Sequence, residues 1–268
     1  MINKVALKSI AVLTQKFANT TVVLHFKEKY PGTFLFIANR LSLNKFSGLP
    51  LTIFSIAIVS NLFLLFDFTE ETINSKEFIA IDSFIAELLF NIRSESLARG
   101  FYYISKLCDI PAVSFIGTSL GIYFLIRKKF HFAIGILTSL LGSGLSIYLG
   151  KNIFEIDRPH QYAYYQENYF SFPSGHATIS VAFYGLLFYF FIRNSSSFKT
   201  WIVLLSIASA FWFLIGISRL YLCVHYFSDV IAGYILGFLW LLLSISIIEW
   251  KDYKLQNTHS PVGQNLQS

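Results

Sequence analysis

Six apolar stretches, each close to the length that crosses a lipid bilayer, constrain the fold of this chain more than any other feature. They cover residues 49–68, 111–126, 131–150, 177–192, 200–217 and 230–248. A membrane-spanning helix needs about 20 mostly apolar residues, and in lipid the backbone is satisfied only within helices or closed barrels. The sequence therefore predicts an all-α, polytopic membrane protein built as a bundle of six transmembrane helices.

The composition supports a membrane protein over a water-soluble domain. Of the 268 residues, 54% are hydrophobic and 13% are charged, whereas soluble domains carry about 25% charged residues. Small residues, which let helices approach closely in lipid, recur in the third stretch. They are Gly135, Gly142, Ser143, Gly144, Ser146 and Gly150. We therefore expect the third span at the centre of the bundle.

Three regions are expected along the chain. Residues 1–48 hold scattered lysines in an interrupted apolar pattern, which indicates an amphipathic segment on the membrane surface and not a signal peptide. Residues 49–250 form a single membrane domain, in which apolar residues at helical spacing over 78–92 predict an interfacial helix between spans one and two. The polar residues 251–268 are expected to be a disordered tail.

Three polar motifs lie at the ends of these stretches. Residues 151–159 read K-x6-R-P and directly follow the third span, while residues 173–176 read P-S-G-H and directly precede the fourth. Residues 218–229 read S-R-x5-H-x3-D and connect the fifth span to the sixth. Because two spans separate the second motif from the third, all three motifs must meet on one face of the membrane.

This set of motifs resembles the signature of the type-2 phosphatidic acid phosphatase superfamily, in particular its bacterial membrane lipid phosphatases. All three motifs match it without a substitution, and the six-span layout extends the resemblance over most of residues 49–248. The resemblance implies a membrane lipid phosphate or diphosphate phosphatase that acts through a phosphohistidine. Its candidate substrates are undecaprenyl diphosphate, phosphatidic acid, phosphatidylglycerol phosphate and a lipid A phosphate.

Five motif residues have the chemistry of a phosphate-binding site. Phosphoryl transfer spreads negative charge over three oxygens, which Lys151, Arg158 and Arg219 can neutralise. Lys151 and Arg158 stand seven residues apart, which places them on one face of a continuing helix until Pro159 disturbs it. Ser174 and Gly175 open the fourth span, where free backbone N–H groups and the helix dipole favour an anion.

The three remaining motif residues suit covalent catalysis. An imidazole nitrogen of His225 can attack phosphorus and form a phosphohistidine. Asp229, one helical turn later, can accept the other ring N–H and fix the tautomer, as the carboxylate of a catalytic triad does. His176 would then be the general acid that protonates the leaving group. The resemblance implies the same three roles for these positions.

Basic residues predict the orientation in the membrane. Fourteen of the 21 Lys and Arg lie on the side that holds both termini, and seven lie on the side of the motifs. Because Lys and Arg concentrate on the cytoplasmic side, we expect cytoplasmic termini and a periplasmic active site in a bacterial inner membrane. The net charge of +6 then reflects topology, so we expect a lipid phosphate and the bilayer as partners and no nucleic acid.

Two other functions stay open at this point, namely a lipid phosphotransferase with the same site and a non-catalytic lipid-binding or carrier protein. We expect no cofactor and no metal, because His176, His225 and Asp229 lack a third neutral nitrogen or thiolate and have cationic neighbours. Cys108 and Cys223 both fall near the catalytic face, where buried thiols are favoured over a disulfide. The oligomeric state is not indicated.

Overall fold

The computed structural model describes residues 27–32, 34 and 48–258. Most of the expected N-terminal amphipathic segment, 1–48, lies outside the described residues. Within 48–258 the chain is helical apart from its connections and forms eight main helices, with a 3-10 turn (Lys106–Cys108) between the third and the fourth and a π-helical turn (Ser180–Tyr184) inside the sixth. These are α1 (Leu49–Asn74), α2 (Lys76–Asn91), α3 (Glu95–Ser105), α4 (Ile110–Ile126), α5 (Phe130–Phe154), α6 (Gly175–Arg193), α7 (Phe198–Tyr221) and α8 (Phe227–Thr258).

The prediction of six membrane spans in an all-α fold is confirmed. Over 48–258 the structure has six helical segments long and apolar enough to cross a membrane: α1, α3 joined to α4, and α5 to α8. All six are longer than the apolar stretches in the sequence, because the helices continue through polar residues at their ends. Thus α5 carries Lys151 and α7 carries Arg219 in its last turn.

The most buried span is α8, and not α5 as the small residues of the third stretch suggested. Within the 18-residue apolar stretch of each helix, half of the residues are buried in α8, about a quarter in α5 and none in α1. The small residues of α5 serve this arrangement, since Gly135 faces Ile248 and Gly142 faces Trp240, both on α8. The third span therefore packs against the centre without forming it.

Two glycines of α8 bring the start of α6 unusually close. A Cβ atom at Gly233 would lie 2.7 Å from the carbonyl oxygen of Ser174, and one at Gly237 would lie 2.7 Å from that of Thr178. Spaced four residues apart, they form the small-xxx-small pattern that permits close backbone contact between membrane helices. This contact places the P-S-G-H motif against the first turns of α8.

The helix expected between spans one and two is present as α2. Its N-terminus is capped by the Ser75 side chain, which accepts a hydrogen bond from the Phe78 N–H. Asp82 on α2 is buried and accepts hydrogen bonds from the backbone N–H (2.9 Å) and the hydroxyl (2.5 Å) of Ser228. Helix α2 is therefore fastened to the start of α8, beside the third motif.

Helix α8 extends past residue 250, the boundary expected for the membrane domain, and continues through Thr258. Arg193 on α6 makes ion pairs with Glu249 and Asp252, and Lys254 lies over the ring of Trp250. These contacts hold polar residues that the sequence assigned to a disordered tail, of which 259–268 lie outside the described residues. Cys108 and Cys223 are both buried as free thiols, so they are not bridged.

Candidate active site

His225 and Asp229 form a buried pair at the start of α8. The Nδ1 atom of His225 lies 3.3 Å from Oδ2 of Asp229 and 3.2 Å from Oγ of Ser171. The Asp229 carboxylate also accepts hydrogen bonds from the Ser171 hydroxyl and from the Tyr226 N–H (2.7 Å). With Nδ1 turned towards Asp229, the Nε2 atom faces the opposite side of the ring.

Arg158 occupies that opposite side. Its Nη1 lies 3.3 Å from Nε2 of His225 and donates a hydrogen bond to the Val224 carbonyl (2.6 Å), while its Nε donates to the Tyr169 carbonyl (2.7 Å). The shared helical face expected for Lys151 and Arg158 was wrong, because α5 ends at Phe154 and Glu155 has a left-handed conformation (φ 48°). The turn at Glu155 lets Arg158 reach His225 from a loop.

Lys151 and Arg219 approach from the last turns of α5 and α7. The Lys151 ammonium donates hydrogen bonds to the carbonyls of Phe170 and Ser171 (3.3 Å to the latter), so it also orders the loop that precedes the P-S-G-H motif. Arg219 is fully buried, and its Nη1 donates to the Tyr165 hydroxyl (2.6 Å). The structure thus brings all three predicted cations to one end of the bundle.

Glu167 is a site residue that the sequence did not reveal. One oxygen, Oε2, lies 2.6 Å from Nη2 of Arg158, and the other, Oε1, lies 2.5 Å from Nη2 of Arg219. Burial alone would raise the pKa of Glu167, but the charges of Arg219 and Arg158 outweigh it and hold this pKa below its usual value. The only signal in the sequence was the excess of cations, which does not say which loop carboxylate they meet.

His176 lies in the first turn of α6, with its Nε2 atom 2.9 Å from Oδ1 of Asp109. Asp109 immediately precedes α4 and was also missed, because its partner comes from a helix distant in sequence. The backbone N–H of Ser174 donates to the carbonyl of Asp229 (3.0 Å). This amide is therefore not free for an anion as expected, whereas the buried Ser174 hydroxyl has no hydrogen-bond partner among the described residues.

The electrostatics of the site favour an uncharged imidazole at His225. Burial, reinforced by Arg158, Arg219 and Lys151, lowers the pKa of His225 well below its ordinary 6.5. Burial also lowers the pKa of Arg158, although a guanidinium remains charged at physiological pH. The arrangement can bind an anion between its cations and present a neutral ring nitrogen to it.

An apolar groove of about 520 Å³ runs beside the site. It is bordered by Leu62 and Phe66 of α1, by Ile153 of α5 and by Leu236 of α8, and it reaches Pro173 of the P-S-G-H motif. Such a groove can hold a hydrocarbon chain. The structure therefore places an apolar groove next to the cationic site.

Comparisons with known proteins agree with this architecture. Residues 132–253 match the model of the PAP2 superfamily. Phosphatidylglycerophosphatase B of Bacillus subtilis (strain 168) is 31% identical over 189 residues, which cover 67% of this chain and 89% of that protein. The crystal structure of a transmembrane PAP2-type phosphatidylglycerolphosphate phosphatase from Bacillus subtilis has a TM-score of 0.63 at 26% identity, covering 74% of this chain and 96% of the other.

A six-span helical bundle with a histidine, a carboxylate and three cations at one end defines a multi-pass membrane protein with a cationic site suited to an anion. The chain belongs to the PAP2 superfamily. It is accordingly a membrane lipid phosphatase, a hydrolase of phosphoric esters. The family resemblance stated from the three motifs is thereby confirmed.

Proposed function

We propose that this chain removes the terminal phosphate from a lipid phosphomonoester or lipid diphosphate through a phosphohistidine on His225. The observation that carries the proposal is the orientation of the His225 ring, with Nδ1 against Asp229 and Nε2 3.3 Å from a guanidinium nitrogen of Arg158. Phosphatidylglycerol phosphate is the first candidate substrate, because the two relatives are named for that activity. Undecaprenyl diphosphate, phosphatidic acid and a lipid A phosphate are the other candidates.

In the first half of the reaction, Nε2 of His225 attacks phosphorus. The new P–N bond forms as the bond from phosphorus to the lipid oxygen breaks, and His176 gives its proton to that oxygen. Asp229 accepts the Nδ1–H and stabilises the positive charge on the ring. Asp109, 2.9 Å from Nε2 of His176, orients the general acid.

In the second half, water attacks the phosphohistidine. His176, now neutral, takes a proton from the water, the P–N bond breaks, and inorganic phosphate leaves with His225 restored. Lys151, Arg158 and Arg219 neutralise the charge on the phosphoryl oxygens in both steps, as preorganised cations do in phosphoryl transfer. Ser174, with its buried hydroxyl, and Gly175 complete the phosphate pocket.

This scheme places the positive charge on side chains and assigns no step to a metal. We expect phosphate release to persist in excess chelator. Activity that disappears on chelation and returns with a divalent cation would contradict the scheme.

The apolar groove beside Pro173 is the proposed place of an acyl chain. Its walls belong to α1, α5 and α8, so a lipid held there has its tail within the bilayer and its phosphate at the site. The distribution of Lys and Arg further supports a periplasmic site with cytoplasmic termini in a bacterial inner membrane.

The orientation is tested by labelling intact cells with a membrane-impermeant maleimide. Asn168→Cys, on an exposed position of the loop before the P-S-G-H motif, should react in intact cells. Arg127→Cys, exposed at the opposite end of the bundle, should react only after the cells are opened. The reverse pattern would place the site in the cytoplasm.

The function is tested by presenting the purified protein with a panel of lipid phosphates and measuring released phosphate. We expect turnover of at least one phosphomonoester by the wild type and none above background by His225→Gln. The matched control is His131→Gln, which changes a buried histidine at the opposite end of the bundle and should keep its activity. Normal turnover by His225→Gln would remove His225 as the nucleophile.

A further inference from the structure

Glu167 already occupies the place between the two arginines that we assign to phosphate. Its two oxygens meet Nη2 of Arg158 at 2.6 Å and Nη2 of Arg219 at 2.5 Å, so one carboxylate bridges two guanidinium groups. A phosphate that used the same two nitrogens would need the same space. The carboxylate and the phosphate must therefore exclude each other.

The surroundings of Glu167 allow it to leave this position. Its side chain is 24% exposed, whereas those of Arg158 and Arg219 are 3% and 0% exposed. Glu167 lies on the loop between α5 and α6 and borders a polar cavity of about 440 Å³, which His160, Gln166 and Asn168 also line. The cations are thus fixed by the fold, while the carboxylate has room to turn aside.

Charge decides which ligands can displace it. A phosphomonoester carries about −1.5 to −2 at neutral pH, whereas the phosphodiester of an ordinary phospholipid carries a single negative charge. A diester therefore brings no more charge to the arginines than the carboxylate that it must replace. The carboxylate also has the advantage of its tether, since a group on the same chain competes at an effective concentration of about millimolar or more.

We propose that Glu167 is an internal competitor for the phosphate site, which keeps the site free of weakly bound phosphodiesters and gives way to strongly bound phosphomonoesters. This inference rests on the proposed function and names the class of substrate that the site admits. The competitor raises the Kd of every anionic ligand by the same factor. It therefore sets a minimum affinity that a ligand needs in order to occupy the site. A strongly bound dianion still fills the site, whereas a weakly bound diester does not, although diesters surround the protein in the bilayer.

The same competition assists the end of the reaction. Inorganic phosphate, the product, is also held by Arg158 and Arg219, and the return of Glu167 to its position between them displaces it. Because the pKa of Glu167 is held below its usual value, the carboxylate is ionised at neutral pH and available for this step.

The test uses Glu167→Gln, which keeps the size of the side chain and removes its charge. Three quantities are measured on the purified full-length protein in detergent: the Kd for inorganic phosphate, the KM for dioleoyl phosphatidic acid, and the Ki of dioleoyl phosphatidylglycerol. Loss of the competitor should lower all three by one common factor, at least about tenfold. A structural role for Glu167 would weaken binding, so the expected direction is the opposite of that caused by damage to the site.

Two further variants serve as a matched control and as an alternative to Glu167→Gln. Asp157→Asn removes a carboxylate that lines the same cavity, and it should leave all three constants unchanged. Glu167→Ala should reproduce the tighter phosphate binding if Glu167→Gln folds poorly. Unchanged or weaker phosphate binding in both Glu167 variants would overturn the proposal.

Failure of this proposal can be told apart from failure of the proposed function. Suppose that the Glu167 variants bind inorganic phosphate more tightly but neither they nor the wild type hydrolyses any lipid phosphate. The competitor role of Glu167 is then supported and the phosphatase function is rejected. If the wild type hydrolyses lipid phosphates through His225 but the Glu167 variants bind phosphate no more tightly, the assignment stands and the competitor fails.

Discussion

The two ends of the helix bundle hold the same kinds of charge in opposite proportion. At the end that carries His225, one carboxylate, Glu167, is shared by Arg158 and Arg219. At the other end, one guanidinium, Arg193, is shared by two carboxylates, Glu249 and Asp252.

The difference distinguishes a site that can bind a further anion from an ion-pair cluster, the fastening, that only holds two helices together. Where cations are in excess, as they are around Glu167 with Lys151 close by, a further anion lowers the electrostatic energy. Where carboxylates surround one arginine, its charge is already satisfied, and the cluster joins α6 to α8. The Tyr189 hydroxyl, which donates to Glu249, belongs to the same fastening.

The largest expected effect comes from removing one arginine at each end. Arg219→Gln should lower kcat/KM by about 100-fold to 1000-fold, the usual consequence of losing a preorganised donor to a reacting anion. Arg193→Gln should change kcat/KM by less than about threefold, because the fastening does not contact the substrate. Phosphate release from a lipid phosphate measures both, and equal losses in the two variants would break the comparison.

Stability should respond in the opposite sense. Arg193→Gln leaves Glu249 and Asp252 half-buried without their shared cation, and we expect a loss of about 1–3 kcal/mol in the free energy of unfolding. Thermal unfolding in detergent, monitored by intrinsic fluorescence, checks this value. A variant as stable as the wild type would show that the cluster does not fasten the two helices.

Two glycines extend the comparison to packing. Gly233→Ala would press a Cβ against the backbone of Ser174, which cannot move without disturbing the active site, at a cost of about 1–3 kcal/mol. In Gly135→Ala, at the other end, the new Cβ would clash with the side chain of Ile248, which can change its rotamer, whereas the nearest backbone atom, the Ser244 carbonyl oxygen, lies at an ordinary contact distance of 3.6 Å. We therefore expect Gly233→Ala to lose several-fold more activity than Gly135→Ala, in phosphate release assays normalised to folded protein.

The smallest expected effect is a shift in the acid limb of the pH profile. In the proposed mechanism His225 attacks as a neutral ring, and because its pKa lies well below 6.5, protonation should reduce kcat/KM only at more acidic pH. Arg158→Gln removes a cation beside the ring, so the pKa of His225 should rise and the limb should move to higher pH. Arg193→Gln, measured with the same substrate, should leave the limb in place, since titration of the substrate phosphate is common to all variants. A shift to lower pH in Arg158→Gln would contradict this electrostatic assignment.

Much of the fold could be predicted because lipid leaves the backbone few choices. Apolar stretches of sufficient length had to be helices, and all six were found. The ends of the helices could not be predicted from hydropathy, since backbone hydrogen bonding continues through polar residues such as Lys151 and Arg219. The central position of α8 depends on which faces pair, which a single apolar pattern does not encode.

For the candidate site, the motifs allowed the cations and histidines to be predicted, but they did not reveal which residues these side chains contact. The His225 and Asp229 pair follows from a spacing of one helical turn, and the structure has this contact. Glu167 and Asp109 could not be recognised from the residues around them in the sequence. Each contacts a partner, Arg219 or His176, on a helix that only the fold brings close. The amide of Ser174 was assigned to phosphate on helix geometry alone, whereas tertiary packing gives it to Asp229.

The proposed mechanism requires a covalent phosphohistidine on His225 during turnover. It is tested most directly by acid-free quenching of the wild type during hydrolysis of a lipid phosphate labelled in its terminal phosphate, followed by peptide mapping. We expect an acid-labile, base-stable label on the peptide that contains His225, and none in His225→Gln. A label on another residue, or full hydrolysis without any labelled protein intermediate, would contradict it.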